Sequence, residues 1–209
     1  MSSDLERALE GPPGAERQLG DASSVLLLGS MLDDLTKGFH DTLLSEDAVD
    51  EKNVLVLTHQ SPDSWLRDWN ERSESAGNVG IITFSESWSR RDTLPSDVST
   101  VTVNAGDLTG IAMKLTQFLT ASGECDSGTV LCFESITELL QYNEPKPLFR
   151  FLRLVTRRID HVEGTAHFHM DPSVHDTAEI SRMRSLFDAI VEPRPSTGDV
   201  TVSTRYSTG

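Results

Sequence analysis

The sequence is poor in lysine. Four lysines (Lys37, Lys52, Lys114 and Lys146) accompany 14 arginines, and 18 basic against 33 acidic residues give a formal net charge of −15. Such a chain repels nucleic-acid phosphates and anionic lipid surfaces, so neither is expected as a direct partner. The same imbalance points to a protein built for high salt, where screening relieves the self-repulsion. Cysteine is scarce too. Cys125 and Cys132 are too few for a disulfide framework, and Cys132, inside an apolar run, reads as a small buried hydrophobe. Long hydrophobic runs are missing: stretches such as 25–28 are far too short to span a bilayer. Residues 1–20 are polar and acidic, unlike a secretory signal. A soluble, cytoplasmic protein is the expectation.

What is present is alternation. Apolar runs at 25–28, 53–58, 79–84 and 129–133 are short and continuous, as strands buried on both faces require. Val101 and Val103 suggest a further short strand, and 165–168, 189–191 and 200–206 suggest later ones. Between them fall helical patterns at 34–44, from Pro62 onward, at 145–159 and at 178–187. The clearest helix carries Leu108, Ile111, Ala112, Leu115, Phe118 and Leu119 on one face, with Asp107 at its start. Strand–helix alternation predicts right-handed crossovers and a three-layer α/β fold with a mostly parallel sheet, closed by strands at the C-terminus. Residues 1–22, broken by Gly11-Pro12-Pro13-Gly14, are expected to be a mobile tail; 23–206 form one domain and 207–209 a second tail. Trp65, Trp69 and Trp88 are expected in the core or at its edge rather than on a partner surface. Arg150, Arg153 and Arg157 share a helix face, read as solvated, with an acidic partner as the sharper alternative.

Ligands in such sheets bind at the carboxyl ends of the strands, which directs attention to four turns. Gly29-Ser-Met-Leu-Asp-Asp34-Leu35-Thr36 follows the first strand with the spacing of a phosphate loop, G-x-x-x-x-G-K-[ST]. Gly29 and Thr36 match, whereas Asp34 stands for the second glycine and Leu35 for the lysine. A carboxylate ~4 Å from a phosphate repels it by about 4 kcal/mol at an effective dielectric of roughly 20, so ordinary ATP binding should fail. The second turn is Thr58-His59-Gln60-Ser61-Pro62. In the third, Glu134 and Ser135 close the strand 129–133 in the manner of a Walker B acid, although a strand-end carboxylate that caps a helix is the simpler reading. The fourth holds His167, His169, Asp171 and His175, candidate zinc or manganese ligands. Asp176 there is also well placed to cap the following helix.

The order and spacing of these turns resemble the KaiC branch of the RecA superfamily. That family carries Thr-Phe-Glu-Glu-Pro where this chain has Thr58 to Pro62, so Gln60 and Ser61 replace the two acids, one of which activates water. The phrases Leu131-Cys-Phe-Glu-Ser-Ile-Thr-Glu-Leu-Leu-Gln-Tyr142 and Ala166-His-Phe-His-Met-Asp-Pro172 are similar to a group of haloarchaeal KaiC-like proteins labelled HTR-like, halobacterial transducer-like. The resemblance spans residues 24–206 and implies a RecA-like fold, a link to sensory signalling, and subunits that associate around a nucleotide site. With Gly29, Thr36, Glu134 and Ser135 as a degenerate nucleotide site, the expectation is a non-catalytic pseudo-ATPase scaffold working through protein contacts. Its partners would be a KaiC-like ATPase, a signalling protein or further copies of itself. No cofactor is expected, ATP with Mg²⁺ being the disfavoured alternative. The competing functions are residual nucleotide binding with slow hydrolysis, and a metal-dependent hydrolase on the histidine turn.

Overall fold

Continuous apolar runs of five or six residues need cover on both sides, which a parallel sheet between two helical layers supplies. A computed structural model of the chain describes residues 19, 21–45, 49–50, 52–70, 78–84, 95, 97–122 and 128–205. In chain order the elements are β1 (Ser24–Leu28), α1 (Asp34–Leu43), β2 (Asn53–Thr58), α2 (Pro62–Asn70), β3 (Val79–Thr83), β4 (Val98–Thr102), α3 (Leu108–Ser122), β5 (Thr129–Phe133), α4 (Ile136–Tyr142), α5 (Pro145–His161), β6 (Thr165–Met170), a 3₁₀ turn (Pro172–Val174), α6 (Thr177–Arg184), β7 (Ala189–Arg194) and β8 (Asp199–Thr204). The eight strands form one sheet in the order β4-β3-β2-β5-β6-β1-β7-β8. Every neighbouring pair is parallel except β7 and β8, which close the edge antiparallel. The fold is therefore α/β with a mostly parallel sheet flanked by helices.

Strand periodicity divides the core between the two faces. On one face Leu26, Leu55, Leu131 and Phe168 pack against Ile111 and Leu115 of α3, Leu139 of α4, Leu152 and Val155 of α5, and Met183 of α6. On the other, Val54, Val56, Ile81 and Val130 meet Trp65, Leu66 and Trp69 of α2, while Val25, Leu27, Ala189 and Val191 meet Phe39 of α1. Trp65 and Trp69 are buried and stack 5.1 Å apart, as core residues. The chain first runs outward from β1 through β2 to β4 and then returns through β5, β6 and β7. Right-handed crossovers put the outgoing helices on one face and the returning helices on the other.

Several boundaries differ from the expected ones. β4 begins earlier than Val101 suggests and ends before Val103, whose N–H nonetheless bonds Thr83 O at 3.0 Å. The last strand spans Asp199–Thr204. α4 has no counterpart in the sequence reading: seven residues are too few for a clear periodic signal, but Ser135 caps it by accepting from Glu138 N at 3.0 Å. Arg150, Arg153, Arg157 and Arg158 are exposed along α5. The expectations for residues 1–18, Trp88, Cys125 and Tyr206 lie outside the described residues.

Candidate functional site

β1 and β2 hand the chain to one face of the sheet, β5 and β6 to the other, so their carboxyl ends part and open a crevice. A cleft of about 500 Å³ lies there, lined by Gly29 to Leu32 after β1, His59 and Gln60 after β2, Glu134 and Ser135 after β5, and Asp171 after β6. The four expected turns thus meet at one place. Five carboxyl side chains line the cleft, Asp41, Asp68, Glu134, Glu138 and Asp171, against the single lysine Lys37. That balance opposes a polyanionic ligand.

The turn after β1 is filled by its own side chain. Asp33 is the N-cap of α1, and its Oδ2 accepts from Thr36 N at 2.9 Å and from Thr36 Oγ1 at 2.8 Å. These are the backbone donor and the hydroxyl that a phosphate loop would offer to phosphate and Mg²⁺. Thr36 is 1% exposed, and a Cβ on Gly29 would lie 2.4 Å from its Oγ1. Gly29 is therefore needed here for close packing on Thr36. Leu32, at the tip of the turn, is 96% exposed, with Met31 beside it.

The other matching residues also have local partners. Thr58 donates its hydroxyl to Glu134 Oε2 and accepts from Gln60 N at 2.9 Å. Burial raises the Glu134 carboxyl above its ordinary range, outweighing the lowering by that hydrogen bond. Ser135 caps α4 rather than Glu134, and Ser61, where the KaiC pattern has an acid, accepts from Ser64 N at 3.2 Å at the start of α2.

The structure does not bring His167, His169, Asp171 and His175 together as a ligand set. His175 is held from both sides, Nδ1 to Glu179 Oε2 at 2.7 Å and Nε2 to Thr137 Oγ1 at 3.0 Å. Asp171 Oδ1 caps the 3₁₀ turn, accepting from Ser173 N at 2.9 Å and Ser173 Oγ at 2.6 Å. Burial alone would raise the Asp171 carboxyl, but the Ser173 hydrogen bonds bring it below the ordinary range. Asp176 caps α6 through Glu179 N at 2.7 Å. His167 and His169 do share a face of β6, turned beneath α1 and buried. There they meet two residues that the sequence reading left out of the site. His40 of α1 has its ring centroid 5.3 Å from that of His167 and 4.7 Å from that of His169, and Cys132 is the register neighbour of His167 on β5.

A family model described as a family of unknown function (DUF7504) matches residues 22–193. The chain belongs to that family. No curated protein matches its sequence. Among solved structures it is similar to a protein of Pyrococcus horikoshii OT3, with a TM-score of 0.57 and 9% identity over 90% of this chain and 88% of that one. At that identity the likeness is one of fold. In this member of the family, Gly29→Ala tests the packing of the filled turn. The added methyl displaces Thr36, which has no room to move, and the expected loss is about 1–3 kcal/mol of unfolding free energy by denaturant titration. An unchanged midpoint would show that the turn is open.

Proposed function

We propose that this domain is a RecA-like, KaiC-type pseudo-ATPase: a scaffold that has given up nucleotide chemistry and acts in regulation or signalling through protein contacts. The observation that carries this reading is the Asp33 carboxylate bound to Thr36 N and Oγ1. An anion entering the turn would have to displace a charge-assisted cap and then face the Asp34 charge without a lysine at position 35. The sheet order supports the RecA-like assignment, because β6 alone separates β1 from β5 and so brings the Gly29 turn and Glu134 to the same cleft. In a nucleotide site those two elements serve the phosphates and their metal. The bare Met31–Leu32 tip supports contact with a partner, since a leucine so exposed at a cleft rim gains by being covered. The net charge of −15 supports a working environment of high salt.

The test is calorimetry with ATP and Mg²⁺ at molar potassium chloride, with light scattering on the same sample. No binding heat, no phosphate release and association with itself or a KaiC-like ATPase are expected, and Leu32→Asp should weaken that association. Saturable ATP binding, or a monomer that captures no such ATPase, would defeat the proposal.

A further inference from the structure

Three imidazoles and a thiol converge beneath the cleft, apart from the filled turn. The sheet register makes Cys132 of β5 and His167 of β6 direct neighbours, and His169 follows two residues later on the same face. His40 reaches down to them from α1, with Nε2 3.4 Å from Cys132 Sγ. One ring nitrogen or the sulfur from each of His40, Cys132 and His167 falls within 4.8 Å of the others. The rings do not stack: the interplanar angles among His40, His167 and His169 are 72°, 75° and 69°. Buried there with no hydrogen-bond partner are His167 Nε2 and both nitrogens of His169, in side chains 3% and 2% exposed. Such orphaned atoms are rare in folded proteins because each forfeits the hydrogen bonds it made with water.

We propose that His40, Cys132 and His167 form a binding site for a zinc-class transition ion, with the fourth position filled by His169 or left open to the cleft. This set replaces the sequence-derived one, retaining His167 and releasing Asp171 and His175. The donors suit the ion: thiolate with imidazoles is the nitrogen–sulfur set that Zn²⁺ takes in tetrahedral geometry. With Zn–N of about 2.0 Å and Zn–S of about 2.3 Å, the N···S edge of such a tetrahedron is about 3.5 Å. The His40–Cys132 separation already has that length. The outer shell suits it as well. His40 Nδ1 lies 3.3 Å from Asp41 Oδ1, so a carboxylate can hold the ring with Nε2 toward the ion. His40 and His169 also line the cleft, which gives the ion a route in.

The inference is independent of the scaffold reading, because the experiment contains no nucleotide. The full chain is stripped with chelator under reducing conditions and titrated with Zn²⁺ or Co²⁺ alone. One equivalent per chain is expected, with a raised melting temperature and, for cobalt, a thiolate-to-metal charge-transfer band. Cys132→Ser removes the band and weakens zinc by at least the roughly 100-fold that loss of an outer-shell partner can cost. Cys125→Ser leaves both unchanged. Zinc-edge X-ray absorption on the wild-type chain reads the site without any variant, and one sulfur with two or three nitrogens is expected. Substoichiometric metal, an oxygen-only shell, or a thiolate band that survives Cys132→Ser would overturn the proposal.

Discussion

A chain carrying Asp33→Gly, Asp34→Gly and Leu35→Lys together is expected to bind ATP with Mg²⁺, and the parent chain is expected to give no heat. The triple change removes the carboxylate bound to Thr36 N and Oγ1, removes the charge at position 34 and supplies the missing cation. Each charge is worth about 4 kcal/mol at ~4 Å and an effective dielectric of roughly 20, before screening. Molar salt takes back much of the sum. A net gain of about 4 kcal/mol, roughly 1000-fold in affinity, is therefore the expected size. The cost to the fold is modest, because glycine at an N-cap loses only a few tenths of a kcal/mol and glycine in a helix about 1 kcal/mol. Leu35 is only half-buried and lies outside the buried core, so a lysine there removes no core side chain. Asp33→Ala alone separates plug from charge: it should lower stability by about 1 kcal/mol and still bind no ATP. If the triple variant folds and stays silent in calorimetry, something other than the turn closes the site. If the parent binds as well as the variant, the cap is not a plug at all.

That experiment rests on a turn whose position was legible in the sequence and whose state was not. The spacing of Gly29 and Thr36 after an apolar run located the turn at a strand end, because a buried strand must leave the sheet where the pattern stops. Which groups the Thr36 hydroxyl and N–H would meet depended on where Asp33 settled, and capping decided it. The histidines divide in the same way. Strand periodicity placed His167 and His169 on one face, and the structure agrees. It could not say which face, since both sides of a central parallel strand are buried. The turned-under face brought them to His40 and Cys132, residues 92 apart in sequence, whose meeting depends on sheet register and on how α1 crosses it. No local motif carries such a signal. Asp171 and His175 were drawn to nearer partners, Ser173, Glu179 and Thr137, which a chain-order argument undervalues. α4 was missed for want of length, although Ser135 with Glu138 three residues on is a helix-start signature.

Phe168→Ala should be the most destabilising single change on β6. Phe168 is fully buried between Phe133, 5.3 Å away at 29°, and Phe187, 4.9 Å away at 51°. The first ring belongs to β5 and the second lies between α6 and β7, so Phe168 joins the central sheet to its returning helical layer. Truncation removes the buried ring, leaves a cavity that the flanking strands cannot close, and breaks two aromatic pairs. The expected loss is about 3–5 kcal/mol, a large share of the roughly 5–15 kcal/mol that holds a domain folded. Denaturant unfolding at molar potassium chloride should show a lower midpoint with an unchanged slope. Phe168→Leu keeps much of the apolar volume and should cost markedly less. Because alternate residues of β6 face opposite layers, Phe168 points away from His167 and His169. Phe168→Leu should therefore lose stability while keeping zinc stoichiometry and the cobalt–thiolate band, and Cys132→Ser should lose the band first. A loss below about 1 kcal/mol for Phe168→Ala would mean that the layers are not joined at this ring. Loss of the cobalt band in a folded Phe168→Leu chain would mean that the two faces of β6 are coupled, contrary to the division of core and cluster drawn from its register.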